Sequence, residues 1–177
     1  MKEISIFLAS SIDKFQRERR KFGVVVQRVN QVVIRRGCYV KLIVCEYLSN
    51  EISIRRKQED YNAQIPTSEL FFLLAGETVG EYTLEELECA IKANEENQKP
   101  EIYIFLREEE NNEEENEEDE SIQKMRDMAR NLDSEHVKAV SEFDEVLKSL
   151  VAEIGKAFSL EVSSENGRLL VDGVAIM

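Results

Sequence analysis

Three carboxylates within four positions, Glu85, Glu86 and Glu88, are the residues best placed by type and spacing to do chemistry. A positioned carboxylate can accept a proton, hold a hydroxyl, or stabilise a positive charge as it develops. Leu84, Leu87 and Ile91 share one helical face at i, i+3 and i+7 and are expected to take the core. Glu86 and Ala90 form an i, i+4 pair beside that face. The small Ala90 leaves room over Glu86, which is expected in a solvent-reachable cleft. The same pattern also has a structural reading, as acidic residues in the first turns of a helix meeting its dipole. Other chemistries have less to work with. His136 is the only histidine, which excludes a multi-histidine metal site and leaves a Ser-His-Asp triad only if it uses that residue. Cys38, Cys45 and Cys89 form no C-x-x-C pair, and no metal site is expected. There is no G-x-G-x-x-G, no G-x-x-x-x-G-K-[ST] and no G-x-S-x-G, which argues against a dehydrogenase, a P-loop nucleotidase and an esterase.

The elements that must carry these residues alternate. Ile4–Ala9 reads as a strand, and a helical pattern from Asp13 follows, with Phe15, Phe22, Val25, Val26, Val29, Val32 and Val33 at three- and four-residue spacing and Gly37 closing it. Tyr39–Cys45 is a second strand. Arg56–Gln64 reads as a short helix stopped before Pro66. Glu69–Ala75, almost continuously apolar, reads as a strand buried on both faces. A turn bracketed by Gly76 and Gly80 leads to a helix over Leu84–Ala93. Ile102–Leu106, a helix from about Ser121 to Leu132, a short strand His136–Val140 and a helix Glu142–Phe158 complete the series. Five strand–helix repeats predict a parallel sheet covered on both faces, an α/β flavodoxin-like three-layer sandwich of order 2-1-3-4-5. Residues 1–158 are expected to form that domain. Residues 159–177, with Asn166-Gly167 as a hairpin turn, read as an edge hairpin or the start of a following module.

In such a sheet, ligands bind beyond the carboxyl ends of the strands, where helix N-termini also gather. Position therefore nominates Ser10, Ser11 and Asp13 after the first strand, Glu46 after the second, and the Gly76–Glu86 turn after the third.

Composition bounds the partners. The apolar share of 42% supports a core. The formal charge of −13 is concentrated in Glu108–Glu120, which holds ten acidic residues and no basic one and is expected to be a solvated loop. The remainder is near −3. With no basic stripe, nucleic acid is not expected as a partner. No apolar run reaches the roughly 20 residues needed to span a bilayer, and the odd number of cysteines with no signal peptide fits a reducing cytoplasm, so no membrane partner is expected.

Ile6-Phe7-Leu8-Ala9-Ser10-Ser11-x-Asp13, the Glu18-Arg19 pair, Gly80-Glu81-Tyr82-Thr83-Leu84-Glu85-Glu86-Leu87-Glu88-Cys89-Ala90 and Lys99-Pro100-x-Ile102-Tyr103-Ile104 together resemble a bacterial TIR or TIR-like (Toll/interleukin-1 receptor) domain, over about Lys2–Phe158. The resemblance implies an NAD⁺ hydrolase that breaks the nicotinamide–ribose bond, in prokaryotic immune or stress signalling such as antiphage defence. The E-L-x-x-A frame maps the catalytic glutamate onto Glu86. NAD⁺ is then a substrate and no cofactor is required. Ser10, Ser11, Asp13, Glu46, Tyr47, Gly80, Tyr82 and Thr83 are the expected substrate contacts. The chain has no tryptophan, so Tyr47 or Tyr82 would stack on the nicotinamide. The resemblance also implies homo-oligomers through TIR–TIR contacts and a fused C-terminal sensor or repeat module. Two alternatives remain, a non-catalytic TIR interaction module and a nucleoside deoxyribosyltransferase-like enzyme.

Overall fold

The structure, a computed structural model, describes residues 1–44, 58–107, 119–132 and 136–177. Strands β1 (Lys2–Ser10), β2 (Cys38–Val44), β3 (Leu70–Ala75), β4 (Glu101–Arg107) and β5 (Val137–Val140) form one sheet of order β2-β1-β3-β4-β5. Every neighbouring pair is parallel. Between and after them run α1 (Gln16–Val33), α2 (Glu81–Asn97), α3 (Glu120–Met128) and α4 (Phe143–Phe158). Residues 58–62 are helical and Ile65–Thr67 form a single 3₁₀ turn. The fold is the flavodoxin-like α/β sandwich that the strand–helix alternation predicts.

The core is divided by the sheet. All six residues of β3 are buried, and successive side chains point to opposite faces. On one face Leu70, Phe72 and Leu74 pack with Phe22, Val25, Val26 and Val29 of α1 and with Val146, Leu150 and Ile154 of α4. Phe72 anchors this layer. Its ring stacks on Tyr103 (5.2 Å) and Phe105 (5.8 Å) and meets Phe22 edge-on (5.5 Å). On the other face Phe71, Leu73 and Ala75 pack with Leu84, Leu87 and Ala90 of α2 and with Ile122 and Met125 of α3.

Local signals explain the helix ends. Gly37 takes φ +70 after α1 and bonds back to the Ile34 carbonyl at 3.0 Å. Asn30 turns its side-chain amide onto β2, accepting from the Val40 N–H and donating to the Val40 carbonyl, both at 2.8 Å. These two bonds satisfy backbone groups on the outer edge of β2. The solvated loop expected over Glu108–Glu120 lies outside the described residues except at its end, where Asp119 is the N-cap of α3 and accepts from the Ser121 N–H at 2.9 Å.

Beyond Phe158 the chain builds a separate three-stranded antiparallel sheet, β6 (Val162–Glu165), β7 (Arg168–Val171) and β8 (Val174–Ala175). Asn166 and Gly167 both have positive φ (50 and 77), as a two-residue hairpin turn requires. Asp172 and Gly173 repeat that geometry (50 and 78) at a second turn not anticipated from the sequence pattern. This sheet does not extend the parallel sheet. It rests on the helical layer, with Leu169, Val171 and Ile176 inside the same core cluster as α1 and α4. Arg28 donates to the Ile176 carbonyl at 3.0 Å, and Arg36 pairs with Asp172 at 2.9 Å. The turn that redirects the chain is a C-cap: Ser159 takes φ 55, its N–H bonds to Lys156, and the Leu160 N–H bonds to Gly155 at 2.9 Å.

Gly155 is where the helix and the C-terminal sheet meet most closely, since a Cβ there would lie 2.5 Å from Val162 Cγ2. Gly155→Ala should therefore destabilise the chain by about 1–3 kcal/mol through overpacking, in spite of alanine's better helix propensity. Adding Val162→Ala should recover part of that loss. A thermal-unfolding double-mutant cycle checks this, and simple additivity of the two changes would show that the contact is not under pressure.

Candidate functional site

Helix α2 starts at Glu81, three residues before the sequence pattern places it, with Gly80 as N-cap and the Leu84 N–H bonded to the Gly80 carbonyl at 3.0 Å. Glu86 therefore sits in the second turn, beyond the reach of most of the dipole effect. The buried stripe of the helix is Thr83, Leu84, Glu86, Leu87, Ala90 and Ala93. Glu86 is thus part of the stripe that faces the sheet, at 4% exposure, instead of lying in an open cleft beside it. Ala90 is fully buried, so it does not leave open space over Glu86, and Ile91 is only half-buried.

Among the described residues, three groups act on this carboxyl. Gln58, itself 5% exposed, donates from Nε2 to Glu86 Oε1 at 2.8 Å and to Asn62 Oδ1 at 3.0 Å. Arg19, from α1, lies close enough for its charge to act on Glu86, as does Glu85. Arg19 also donates from Nη1 to the Ser10 hydroxyl (3.1 Å) and the Ser10 carbonyl (3.3 Å), at the carboxyl end of β1. Burial pushes the Glu86 carboxyl up to about 7 from 4.5. The Gln58 hydrogen bond and the Arg19 charge oppose that rise, and the Glu85 charge adds to it. The nearby Cys89 thiol is also raised, first by burial and then by the charges of Glu88, Glu85 and Glu86.

Of the expected substrate-contacting residues, Ser10 is buried and joins Glu86 through Arg19. Ser11 and Asp13 lie in the turn after β1, where the Ser11 hydroxyl accepts from the Lys14 N–H at 3.4 Å. Gly80 is exposed at the N-cap, Thr83 is buried one turn before Glu86, and Tyr82 is 48% exposed. Glu46 and Tyr47 lie outside the described residues. Gln58 was missed by sequence reasoning, because a glutamine in a polar helix carries no signal until the fold brings it to a carboxylate 28 positions away.

Two other places can be compared. At the carboxyl ends of β3–β5, on the α1 face, Phe15, Phe105, Arg107 and Phe143 border a small pocket. Its one charged group, Arg107, lies over the Phe15 ring at 4.6 Å and pairs with Glu18 at 2.6 Å. His136 belongs to the opposite end of the sheet, near Glu101 (3.4 Å) and against the Tyr103 ring (4.8 Å). Burial and the Glu101 hydrogen bond hold the Tyr103 hydroxyl above its ordinary range. Among the described residues no cluster of His, Cys, Asp and Glu is arranged to hold a metal ion, and no helix is long and apolar enough to cross a membrane.

A carboxyl raised in the folded chain is a stability term with a definite sign. The native protein holds a proton that the unfolded chain releases, so stability falls as pH rises from about 4.5 to about 7. Above that window the full cost of the buried charge is present, on the order of 3 kcal/mol. Glu86→Gln should remove it, raising Tm by roughly 5–10 °C at pH 8 and leaving Tm nearly unchanged at pH 4.5. Thermal scans of both proteins across that range check this; parallel curves would mean that the carboxyl titrates normally.

No family model matches the sequence, and no curated protein matches it. Among solved structures, the chain is similar to one described as the crystal structure of the RPS4 and RRS1 TIR domain heterodimer. The match has 11% sequence identity and a TM-score of 0.46, and covers 89% of this chain and 99% of the other.

Proposed function

We propose that the chain is an NAD⁺ glycohydrolase of TIR-like type, with Glu86 as its catalytic carboxylate. The observation that carries this reading is the Glu86 carboxyl itself, buried, raised to about 7 and held by Gln58 near a cationic Arg19. The residue blocks that resemble TIR-like domains supply the substrate. Perturbed carboxyls of this kind concentrate at functional sites, because burial and fixed partners are what tune them.

The chemistry needs little more than this. The bond between the nicotinamide nitrogen and the ribose C1′ breaks, and its electron pair stays on the ring nitrogen, which becomes neutral. The leaving group therefore needs no general acid. The ribose is left as an oxocarbenium-like cation, and a carboxylate beside it stabilises that charge and orients the ribose hydroxyls. Water then adds to C1′ and loses a proton, which Glu86 can accept. Burial raises the carboxyl of the free protein to about 7, and the positive charge of bound NAD⁺ would favour the ionised form. The acid limb of kcat/KM, which reports the free enzyme, is expected near pH 7.

One observation favours a non-catalytic interaction module instead: at 4% exposure Glu86 is closed off from solvent in the isolated chain. On the catalytic reading this means that the site must open locally, for instance on self-association. Specific activity should then climb with protein concentration over a hundredfold range. A flat profile would mean that the dilute monomer is already competent.

Assayed in its clustered form, the chain should cleave NAD⁺, and Glu86→Gln should lower turnover by about two to three orders of magnitude. Glu85→Gln and Glu88→Gln, exposed neighbours on the same helix, should stay close to wild type. Equal losses in all three, or wild-type turnover in Glu86→Gln, would remove the assignment. No turnover even when clustered would favour the interaction module, and turnover of free nucleosides and bases instead would favour the transferase.

A further inference from the structure

Gln58 is a buried side chain whose partners fix its orientation. An ionised carboxylate only accepts hydrogen bonds, so it selects the amide nitrogen and not the oxygen. That nitrogen carries two hydrogens, and Glu86 Oε1 (2.8 Å) and Asn62 Oδ1 (3.0 Å) accept from it. Asn62 lies one turn along the same helical segment, so it braces Gln58 locally, while the bond to Glu86 crosses between elements. Among the described residues, the charged and titratable groups acting around the carboxyl are Arg19 from α1 and Glu85 and Cys89 on α2 itself. Glu85 and Cys89 are fixed by helix spacing, and Arg19 is tied to Ser10. Among the described residues, Gln58 reaches the carboxyl group through a direct hydrogen bond, and a bond to the charged form favours that form against burial.

We propose that Gln58 is the positioning residue of this site, its amide holding the Glu86 carboxyl in one orientation and favouring its charged form against burial. The catalytic side of this inference rests on the NAD⁺ reading above; the electrostatic side does not.

The test replaces Gln58 with Met, similar in length and volume but without a donor. The Glu86 titration is read as the pH dependence of the stability difference with and without Glu86→Gln, which needs no turnover. The Glu86 midpoint should move up by about one unit or more in Gln58→Met. Asn62→Ala, which removes only the brace, should move it in the same direction by less. In protein that cleaves NAD⁺, the acid limb of kcat/KM should move up by the same amount. Above that limb, kcat should fall while KM stays close to wild type, a split that a merely structural glutamine would not produce. A midpoint unmoved by Gln58→Met overturns the proposal; should that variant not fold, a midpoint unmoved by Asn62→Ala overturns it. A shifted midpoint in a chain that never cleaves NAD⁺ would uphold Gln58's hold on Glu86 and sink the NAD⁺ reading alone.

Discussion

Everything in this structure follows from the need to cover a parallel sheet on both faces. β3 cannot present either face to water, since Leu70, Phe72 and Leu74 point one way and Phe71, Leu73 and Ala75 the other. Each set needs its own helical layer, and parallel connections supply one, because every crossover must return over the sheet. The Phe72 stack with Tyr103, Phe105 and Phe22 ties α1 to the two strands β3 and β4. The α1/α4 layer is also the floor on which the C-terminal sheet rests, through Leu169, Val171 and Ile176. The Gly155–Val162 approach and the cap at Ser159 are the local means by which the chain turns onto that floor.

The other layer has a different consequence. α2 buries a stripe wide enough to include Glu86 along with Leu84 and Leu87, so a carboxyl group enters the helix–sheet interface. A lone carboxylate there would be costly, and the fold brings two sources of compensation from separate elements. Gln58 reaches it from the helical residues before β3, and Arg19 from α1, the helix that leaves the carboxyl end of β1. Arg19 also binds Ser10, so the end of β1 and the buried carboxyl are linked through one guanidinium. The site is therefore a product of topology: three stretches distant in sequence meet where β1 and β3 hand over to their helices.

The fold was legible because its signals are local and strong. Period-3.6 apolar spacing in α1, the unbroken apolar run of β3, Gly37 after the first helix and Asn166-Gly167 in the hairpin each act within a few residues. Glu86 was legible as a candidate, but its environment was not. The expected start at Leu84 put Glu86 in the first turn and beside the core stripe, whereas the helix begins at Glu81 after a glycine N-cap, which has no side chain to signal it. Polar-looking Glu81-Tyr82-Thr83 read as turn, yet Thr83 is buried and helical. Gln58 and Arg19 were not assigned to the site for a different reason. Nothing in a glutamine or in an arginine among other charged residues marks it as the partner of a distant carboxyl group. That information exists only once the chain is folded.

The balance of forces at Glu86 bears on what the residue is for. A glutamine at this position has the same shape and could still accept the Gln58 hydrogen bond through its carbonyl oxygen. It would carry no charge to desolvate, so packing alone is served at least as well by the amide as by the acid. Gln58 and the Arg19 charge both pull the group toward ionisation, yet burial still outweighs them and leaves it near 7. Burial and these two favouring groups therefore oppose one another at a single carboxyl, and its charge state responds to whatever charge lies beside it. On the proposed reading, that balance lets the positive charge of bound NAD⁺ draw the group toward the anion, whereas the folded chain itself gains nothing from the acid over the amide.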